Sequence, residues 1–336
     1  MSQATVSQTV RANPTGGSDL LVARGGSAIP WHALGVWAAL LVLVIIASLL
    51  SEHFLSTQNV FNILRQASMI AIIALGMTFV IISGGIDLAV GSVVLLCGVL
   101  LAGTLAAGWG VGAAISVALC VGMAAGLISG VGVAYFRIPP FVMTLAGMSI
   151  YHGSAYIYAH GQPIPIPTSA NASLGPIAKS YIAGVVPMPV VYVLALYSVG
   201  YVLLHHTAFG VRVQAVGGNE EAARLSGVNV RGVKLLVYVI SGACSAVAAV
   251  ILTSRAGTGE ILAGVGYELD AIAAVVIGGT SLAGGRGGVW GTLAGTLLLF
   301  ILLNLFTMLN VHSHYQEVFK GLIIVLAILV QYRRRG

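Results

Sequence analysis

The hydrophobic residues of this chain are grouped in long runs that are separated by short polar segments. Ten such runs can be traced, at about residues 33–50, 66–83, 93–108, 111–134, 141–159, 188–204, 235–253, 267–283, 290–309 and 318–331. Most of them approach the length of about 20 residues that an α-helix needs to cross the hydrocarbon core of a bilayer. The pattern predicts an all-α polytopic membrane protein with about ten transmembrane helices.

Composition supports this class. The chain has 336 residues, of which 58% are hydrophobic and 7% charged, and its mean hydropathy is +1.00. A soluble domain carries roughly 25% charged residues. The net charge of +6 does not indicate nucleic-acid binding, because the basic residues flank the apolar runs and form no single patch. The three cysteines lie in apolar runs, where we expect packing rather than a disulfide or a metal site.

Two segments depart from the apolar pattern. Residues 1–30 are polar and rich in Gly and Ser, so we expect a disordered tail, and residues 31–336 then form a single transmembrane domain. The first apolar run is long enough to span and follows a long leader, which favours a retained helix over a cleaved signal peptide. Residues 161–187 hold five of the ten prolines and predict an irregular segment outside the bilayer.

The distribution of Lys and Arg sets the orientation of the predicted spans. With the N-terminus inside, eleven of these residues lie on the inner side and four lie outside, namely Arg65, Lys179, Arg255 and Lys320. Because inner loops carry the excess of positive charge, this split predicts ten spans with both termini cytoplasmic. The Pro-rich segment 161–187 then lies in the periplasm and the segment 206–234 in the cytoplasm.

Residues 212–234 form the most polar segment between two runs. They hold six of the 24 Asp, Glu, Lys and Arg residues. Asn219 is a good N-cap with two acids directly after it, and Gly227 is a good helix stop. The segment therefore predicts a short helix, and a helix of about two turns needs a docking partner to be stable. A solvated loop between two membrane helices is the alternative.

The predicted helix carries small residues as well as charges. Arg224 stands near its end, and Ala222 and Ala223 offer a small face that allows close approach to a partner surface. We expect this face to meet another protein, so that a bulky charge at Ala223 would disturb the contact.

Two Gly-rich breaks interrupt the apolar pattern at residues 83–92 and 278–288. They share the pattern GGxxLA, which is too short to establish a duplicated half. Asp87, in the first break, stands beside a span without a basic residue near it in sequence. Such an acid is costly unless it is satisfied, so it is either a hydrogen-bonding group or polar point on a path within the bundle, or the N-cap of the span near Val93.

Glu268 and Asp270 are two residues apart and so do not share a helix face. The predicted topology puts them at the outer end of a span, where they either line the mouth of a pathway or cap a helix. The structural or pathway candidates are together Gly84, Gly85, Asp87, Gly91, Ser92, Glu268, Asp270, Gly278 and Gly279.

The sequence offers no constellation for catalysis or metal binding. The histidine pairs at 205–206 and at 312 and 314 lack the acidic or Cys companions of a closed metal site, so we expect interfacial histidines. No Ser/His/Asp or paired-carboxylate arrangement stands out. The phosphate-binding pattern GxxxxGK[ST] is also missing, so any ATP that drives transport must be hydrolysed by another chain.

Three long stretches resemble a known family. They are NVFNILRQASMIAIIALGMTFVIISGGIDLAVGS at 59–92, LHHTAFGVRVQAVGGNEEAARLSGVNV at 204–230 and GYELDAIAAVVIGGTSLAGGRGGVWGTLAG at 266–295. On these motifs the chain resembles the permease subunit of bacterial ABC sugar importers of the ribose type, over about residues 52–332. The resemblance implies a multi-pass protein of the bacterial inner membrane that translocates a monosaccharide, ribose or a related sugar.

The resemblance also implies partners. These are a second permease copy or a paralogue, two cytoplasmic ATPases that bind ATP and Mg, and a periplasmic sugar-binding protein. It implies that residues 218–228 are the coupling helix that contacts the ATPase. The coupling residues are then Gly218, Asn219, Glu220, Glu221, Ala222, Ala223, Arg224, Leu225, Ser226 and Gly227.

A proton-coupled secondary transporter is the alternative function. In that case Asp87 or Asp270 would be the proton carrier, and a proton gradient alone would drive transport.

Overall fold

The structure, a computed structural model, describes residues 31–333, so the predicted tail at 1–30 lies outside the described residues. Its elements in chain order are α1 (Trp31–Leu50), α2 (Thr57–Ile82), α3 (Val90–Ala106), α4 (Val111–Ala134), α5 (Pro140–Tyr158), β1 (Ile164–Pro165), α6 (Thr168–Leu174), α7 (Pro176–Lys179), β2 (Tyr181–Ile182), β3 (Val186–Pro187), α8 (Met188–His205), α9 (Ala208–Gly218), α10 (Glu220–Leu225), α11 (Val230–Ala256), β4 (Thr258–Gly259), α12 (Tyr267–Ile277), α13 (Val289–Met308) and α14 (Ser313–Arg333).

The prediction of an all-helical, multi-pass membrane protein is confirmed. Among the described residues, five helices are long and apolar enough to cross a bilayer, namely α2, α4, α8, α11 and α13. Shorter apolar helical stretches cover Gly35–Leu50 and Val90–Ala106. Lipid-facing helices of this kind satisfy every backbone polar group internally, as the hydrocarbon requires.

Helices α2 and α11 form the centre of the bundle. Helix α2 is buried along nearly its whole length and packs against α11, α13 and α8. Gly76 permits its contact with α11, since a Cβ there would lie 2.8 Å from the Cα of Ser241. Gly122 of α4 and Gly242 of α11 meet in the same way. Small residues let membrane helices approach closely enough for their backbones to touch.

The Pro-rich segment 161–187 is more ordered than predicted. It contains the short helices α6 and α7 and the strands β1, β2 and β3, so the expectation of an irregular segment was wrong. Strand β1 pairs with β4, which follows α11, and β2 pairs with β3 as a hairpin. Pro176 stands at the first turn of α7, where its missing N–H costs no hydrogen bond.

The predicted span at 267–283 is also corrected. Helix α12 ends at Ile277, and eleven residues reach about 16 Å, roughly half of the hydrocarbon thickness. The chain before it, residues 257–266, runs along α3. Its buried Gly259 packs against Val99 and its buried Gly264 packs against Gly91, while Leu262 and Val265 are exposed. The apolar run at 267–283 predicted one longer helix, but the glycines from Gly278 onward end it early.

Candidate functional site

The segment 206–234 folds as two short helices between α8 and α11. Helix α9 was not predicted. Its buried residues Gly210, Val213 and Val216 recur every third position and so form one apolar face. This spacing is visible in the sequence, but the prediction for this segment was based on the charged residues that follow it. Thr207 caps α9, since its hydroxyl accepts a hydrogen bond from the Gly210 N–H.

Helix α10 lies where the sequence predicted the short helix, and its ends are closed by its own chain. The side-chain oxygen of Asn219 accepts from the N–H of Ala222 at 2.9 Å. At the other end Gly227 has a φ of 81°, its N–H donates to Arg224, and the Val228 N–H donates to Ala223. This pair of hydrogen bonds is a Schellman motif, which satisfies the last carbonyls of a helix.

The charges of α10 form two ion pairs. Glu221 pairs with Arg224 on the same exposed helix face, and the hydrogen bond from the guanidinium lowers the pKa of the Glu221 carboxyl. Glu220 pairs at 2.6 Å with Lys234 in the first turns of α11. Exposed pairs of this kind add little stability. The second pair nevertheless ties α10 to the start of α11.

One prediction about the faces of α10 was wrong. Ala223 is buried against α9 and α11 in the core of this chain, so it does not face a partner. Ala222 is exposed as expected, and Leu225 is 75% exposed at the surface of the helix. A six-residue helix needs one small inward residue to sit closely on its neighbours, and Ala223 fills that position. The large outward apolar residue is therefore Leu225.

Directly before α10 the chain packs against both Gly-rich breaks. The glycine junction consists of Gly84 in the first break, Gly217 and Gly218 at the end of α9, and Gly284 and Gly285 in the second break. The Gly285 N–H donates to the carbonyl of Ile82 at 2.8 Å, at the end of α2. A Cβ on Gly284 would lie 2.7 Å from the Gly217 carbonyl and 3.1 Å from the Gly84 Cα.

The glycine junction was only partly predicted. Gly84 and Gly218 were among the candidates, whereas Gly217, Gly284 and Gly285 were not chosen. Three adjacent-glycine pairs were the signal in the sequence, at 84–85, 217–218 and 284–285. Nothing along the chain indicated that these pairs meet.

Asp87 lies in the interior of the bundle with a relative exposure of 4%. One carboxylate oxygen accepts from the Ala89 N–H at 3.0 Å, and the other accepts from the Ser241 hydroxyl at 2.8 Å. Ser241 is about 16 Å along α11 from its first residue, Val230, at about 1.5 Å per residue. Asp87 thus lies near the middle of the bundle, where it fixes the start of α3 against α11. The neighbouring Ile86 carbonyl accepts from Tyr238 at 3.2 Å.

Gly91, Ser92 and Glu268 also lie in the interior. A Cβ on Gly91 would collide with the Gly264 carbonyl and lie 2.7 Å from a carboxylate oxygen of Glu268. Ser92 and Glu268 are buried. Glu268 lies in the first turn of α12, buried beside α3, and its position at the outer end of a span stays a prediction.

Asp270 forms an ion pair that joins α12 to α14. Its carboxylate lies 2.7 Å from the Lys320 ammonium, and both side chains are largely buried. Asp270 lies in the first turn of α12, and its expected position at the outer end of a span stays a prediction. At the other end of α12, Gly278 packs on Gly291 of α13, while Gly279 has a φ of 89° and free space around its Cα.

The structure divides the predicted candidates between two places. Residues 218–227 and Gly84 lie at one end of the bundle, around α10 and the glycine junction. Asp87, Gly91, Ser92, Glu268 and Asp270 lie deeper, where α3 and α12 begin. Gly85 lies between the two, close to the Tyr238 hydroxyl.

Comparison with known proteins identifies the family. A family model described as the permease component of the branched-chain amino acid transport system matches residues 59–328. The ribose import permease protein of Haemophilus influenzae is 44% identical over 87% of this chain and 90% of its own length. That of Bacillus subtilis is 42% identical over 90% and 93%. No solved structure matches.

A second group of relatives widens the comparison. The xylose transport system permease protein of Escherichia coli is 34% identical over 98% of this chain and 98% of its own length. These relatives are transport permeases rather than enzymes, and the similarity extends over nearly the whole chain. The chain is therefore a membrane permease that belongs to the family of ABC importer permease components.

Proposed function

We propose that this chain is the membrane subunit of an ATP-driven importer for a monosaccharide, ribose or a related sugar. The observation that carries the proposal is the similarity to ribose import permeases over 87% to 90% of the chain. The description of the family model names amino acids. The individual relatives are the more specific guide, because they are 42% to 44% identical and cover the motifs on both sides of the glycine junction.

The proposed orientation places α10 and the glycine junction on the cytoplasmic side, with ten crossings and cytoplasmic termini. Residues 31–336 form one transmembrane domain in the bacterial inner membrane, and the segment with α6, α7 and the hairpin faces the periplasm. The distribution of eleven inner and four outer basic residues supports this orientation. The eighth crossing would consist of the segment 257–266, which runs along α3, followed by α12.

The proposed partners follow from this orientation. Two ATPase domains bind ATP and Mg, and each contacts one permease copy through the exposed surface of α10. A second permease or a paralogue completes the pathway, and a periplasmic binding protein delivers the sugar. The self-capped helix with its exposed Leu225 supports a docking role, since a rigid helix with an apolar residue at its surface suits a partner groove.

The proton-coupled alternative has less support. The matching family is described as the permease component of a transport system, and the relatives as import permeases. Asp270 is paired with Lys320, and Asp87 accepts two hydrogen bonds from this chain. These contacts give both carboxylates a structural role.

Uptake in proteoliposomes tests the proposal. The chain is purified with an ABC ATPase and a periplasmic sugar-binding protein from the same organism, and uptake of labelled ribose is measured with unlabelled xylose or leucine as competitor. We expect uptake only when the ATPase is present and ATP is available to it inside the vesicles. Unlabelled xylose should reduce the uptake of labelled ribose, and leucine should leave it unchanged. The chain alone should hydrolyse no ATP. Uptake driven by a proton gradient without ATP would contradict the proposal.

A further inference from the structure

The glycine junction joins three chain segments that are far apart in sequence. A Cβ on Gly217 would collide with the Ile82 carbonyl and lie 2.7 Å from the Gly285 nitrogen, and one on Gly285 would lie 2.9 Å from the Gly218 Cα. The contacts are therefore between backbones, without intervening side chains. Backbone contacts of this kind leave no flexible group that can absorb a displacement of one segment.

One side of the junction leads directly to α10. Gly218 is the last residue of α9, and the next residue, Asn219, caps α10. The Asn219 N–H also donates to the Ala215 carbonyl at 3.0 Å, so the turn between the two helices is itself hydrogen-bonded. A force applied to the exposed surface of α10 acts at once on Gly217 and Gly218.

The other two sides lead into the interior. Gly84 belongs to the loop that rises to Asp87 and to the start of α3. Gly284 and Gly285 belong to the loop between α12 and α13. Helices α3 and α12 both begin inside the bundle, close to Gly91 and Glu268. The junction therefore connects one exposed helix with the two helices that begin inside the bundle.

We infer that the glycine junction transmits movement of α10 along both Gly-rich breaks, and so couples ATP hydrolysis by the partner to movement of α3 and α12. The inference rests on the proposed function, because it takes α10 as the contact with the ATPase. It assigns the transmitting role to Gly217 and Gly284, whose replacement by alanine forces the segments apart. Coupling of this kind is carried by packed elements that have discrete arrangements.

Two glycines in the terminal turns of helices provide the first pair of variants. In Gly217→Ala the new methyl group meets the Ile82 carbonyl, whereas in Gly112→Ala, in the first turn of α4, it enters free space, with nothing within 4 Å. Neither residue has a positive φ, so alanine strains the backbone at neither position. A larger effect of Gly217→Ala therefore reports the contact at the junction.

Gly284 of the second break and Gly108, after α3, provide an independent pair. Their φ values are 81° and 85°, so alanine is equally strained at both positions. Only at Gly284 does the methyl group also meet Gly217 and Gly84, since nothing lies within 4 Å at Gly108. This pair separates backbone strain from loss of the junction contact.

The measurement is the amount of sugar transported per ATP hydrolysed, in proteoliposomes with the ATPase and the binding protein. We expect Gly217→Ala and Gly284→Ala to retain the bound ATPase and its rate of ATP hydrolysis. Both variants should transport at least about fivefold less sugar per ATP, which is a typical size for a coupling effect. Gly112→Ala and Gly108→Ala should stay within about twofold of the unsubstituted chain, because neither new methyl group touches the junction.

Unchanged transport per ATP in Gly217→Ala and Gly284→Ala would overturn the inference. So would failure of both variants to assemble while both controls assemble, because the contacts would then serve folding rather than transmission. If the protein without substitutions neither retains the ATPase nor requires ATP for uptake, the proposed function itself is contradicted.

Discussion

Helices α10 and α12 are both too short to cross a membrane, yet they are held in place in opposite ways. Helix α10 is almost wholly exposed and is closed by its own neighbours in sequence, Asn219 and Gly227. Helix α12 follows Gly266, which provides no side-chain cap, and its acidic first turn is buried. The start of α12 depends on Lys320 of α14 and on contacts with α3.

The difference shows where each helix draws its stability. Solvent-exposed caps act locally, so loss of one frays a helix without affecting the bundle. Interior polar groups are satisfied by distant elements, so loss of one leaves a buried group unpaired and weakens the whole fold. Changes at α12 and α3 should therefore affect global stability, and changes at α10 should affect local order and coupling.

The largest expected effect is that of Lys320→Met. It leaves the Asp270 carboxylate without its partner inside the bundle, which should lower the free energy of unfolding by about 3 kcal/mol. Unfolding by SDS in mixed micelles measures this. Lys179→Met, at an exposed lysine, is the matched control and should change stability by less than about 0.5 kcal/mol. Equal effects of the two variants would show that the ion pair does not hold α12.

Asp87→Leu should have the next largest effect. It leaves the Ala89 N–H and the Ser241 hydroxyl without an acceptor, at a cost of about 2 kcal/mol in the same unfolding assay. Asp87→Asn keeps an acceptor oxygen and should retain most of the stability and of the sugar uptake. A well-folded Asn variant without uptake would instead assign an ionic role to Asp87.

Gly227→Ala and Gly266→Ala compare the two helices directly. Both glycines have a positive φ, 81° and 80°, and free space around them, so alanine costs about 1–2 kcal/mol at either position. At Gly266 we expect this cost in global unfolding. At Gly227 we expect faster amide exchange in residues 220–226 with global unfolding unchanged. Equal loss of global stability would remove the distinction between the two helices.

Asn219→Ala should have the smallest effect. Loss of an N-cap costs about 0.5–1 kcal/mol of helix stability, so exchange of the Ala222 amide should increase by about two- to fivefold. Asn219→Asp, which keeps the accepting oxygen, should exchange like the unchanged chain. Unchanged exchange in the alanine variant would mean that docking on α9 and α11, rather than the cap, holds α10.

The features that the sequence predicted correctly are those with local causes. The apolar runs predicted the membrane helices because each run is a response to lipid. Asn219, Glu220 and Gly227 predicted α10 because capping acts over four residues. In both cases the signal and the structure that it specifies lie in the same stretch of chain.

The features that were missed depend on contacts between distant segments. The contact of Gly259 and Gly264 with α3 was not predicted because nothing in residues 257–266 indicates which helix they pack against. Ala223 was assigned to a partner contact because only the fold decides which side of α10 is covered. The glycine junction was missed as a unit because its pairs are more than 60 residues apart in sequence.

The central claim is that the exposed surface of α10 connects this permease to an ATPase, and Leu225→Asp tests it most directly. Leu225 is 75% exposed on α10, and Leu55, 61% exposed before α2, provides Leu55→Asp as the control. The measurement is the amount of ATPase that co-purifies with each variant, from cells that express equal amounts of the permease variants. We predict that Leu225→Asp loses at least about tenfold of the bound ATPase, as expected for an apolar residue central to an interface, and that Leu55→Asp retains it. Equal retention of the ATPase by both variants would contradict the claim.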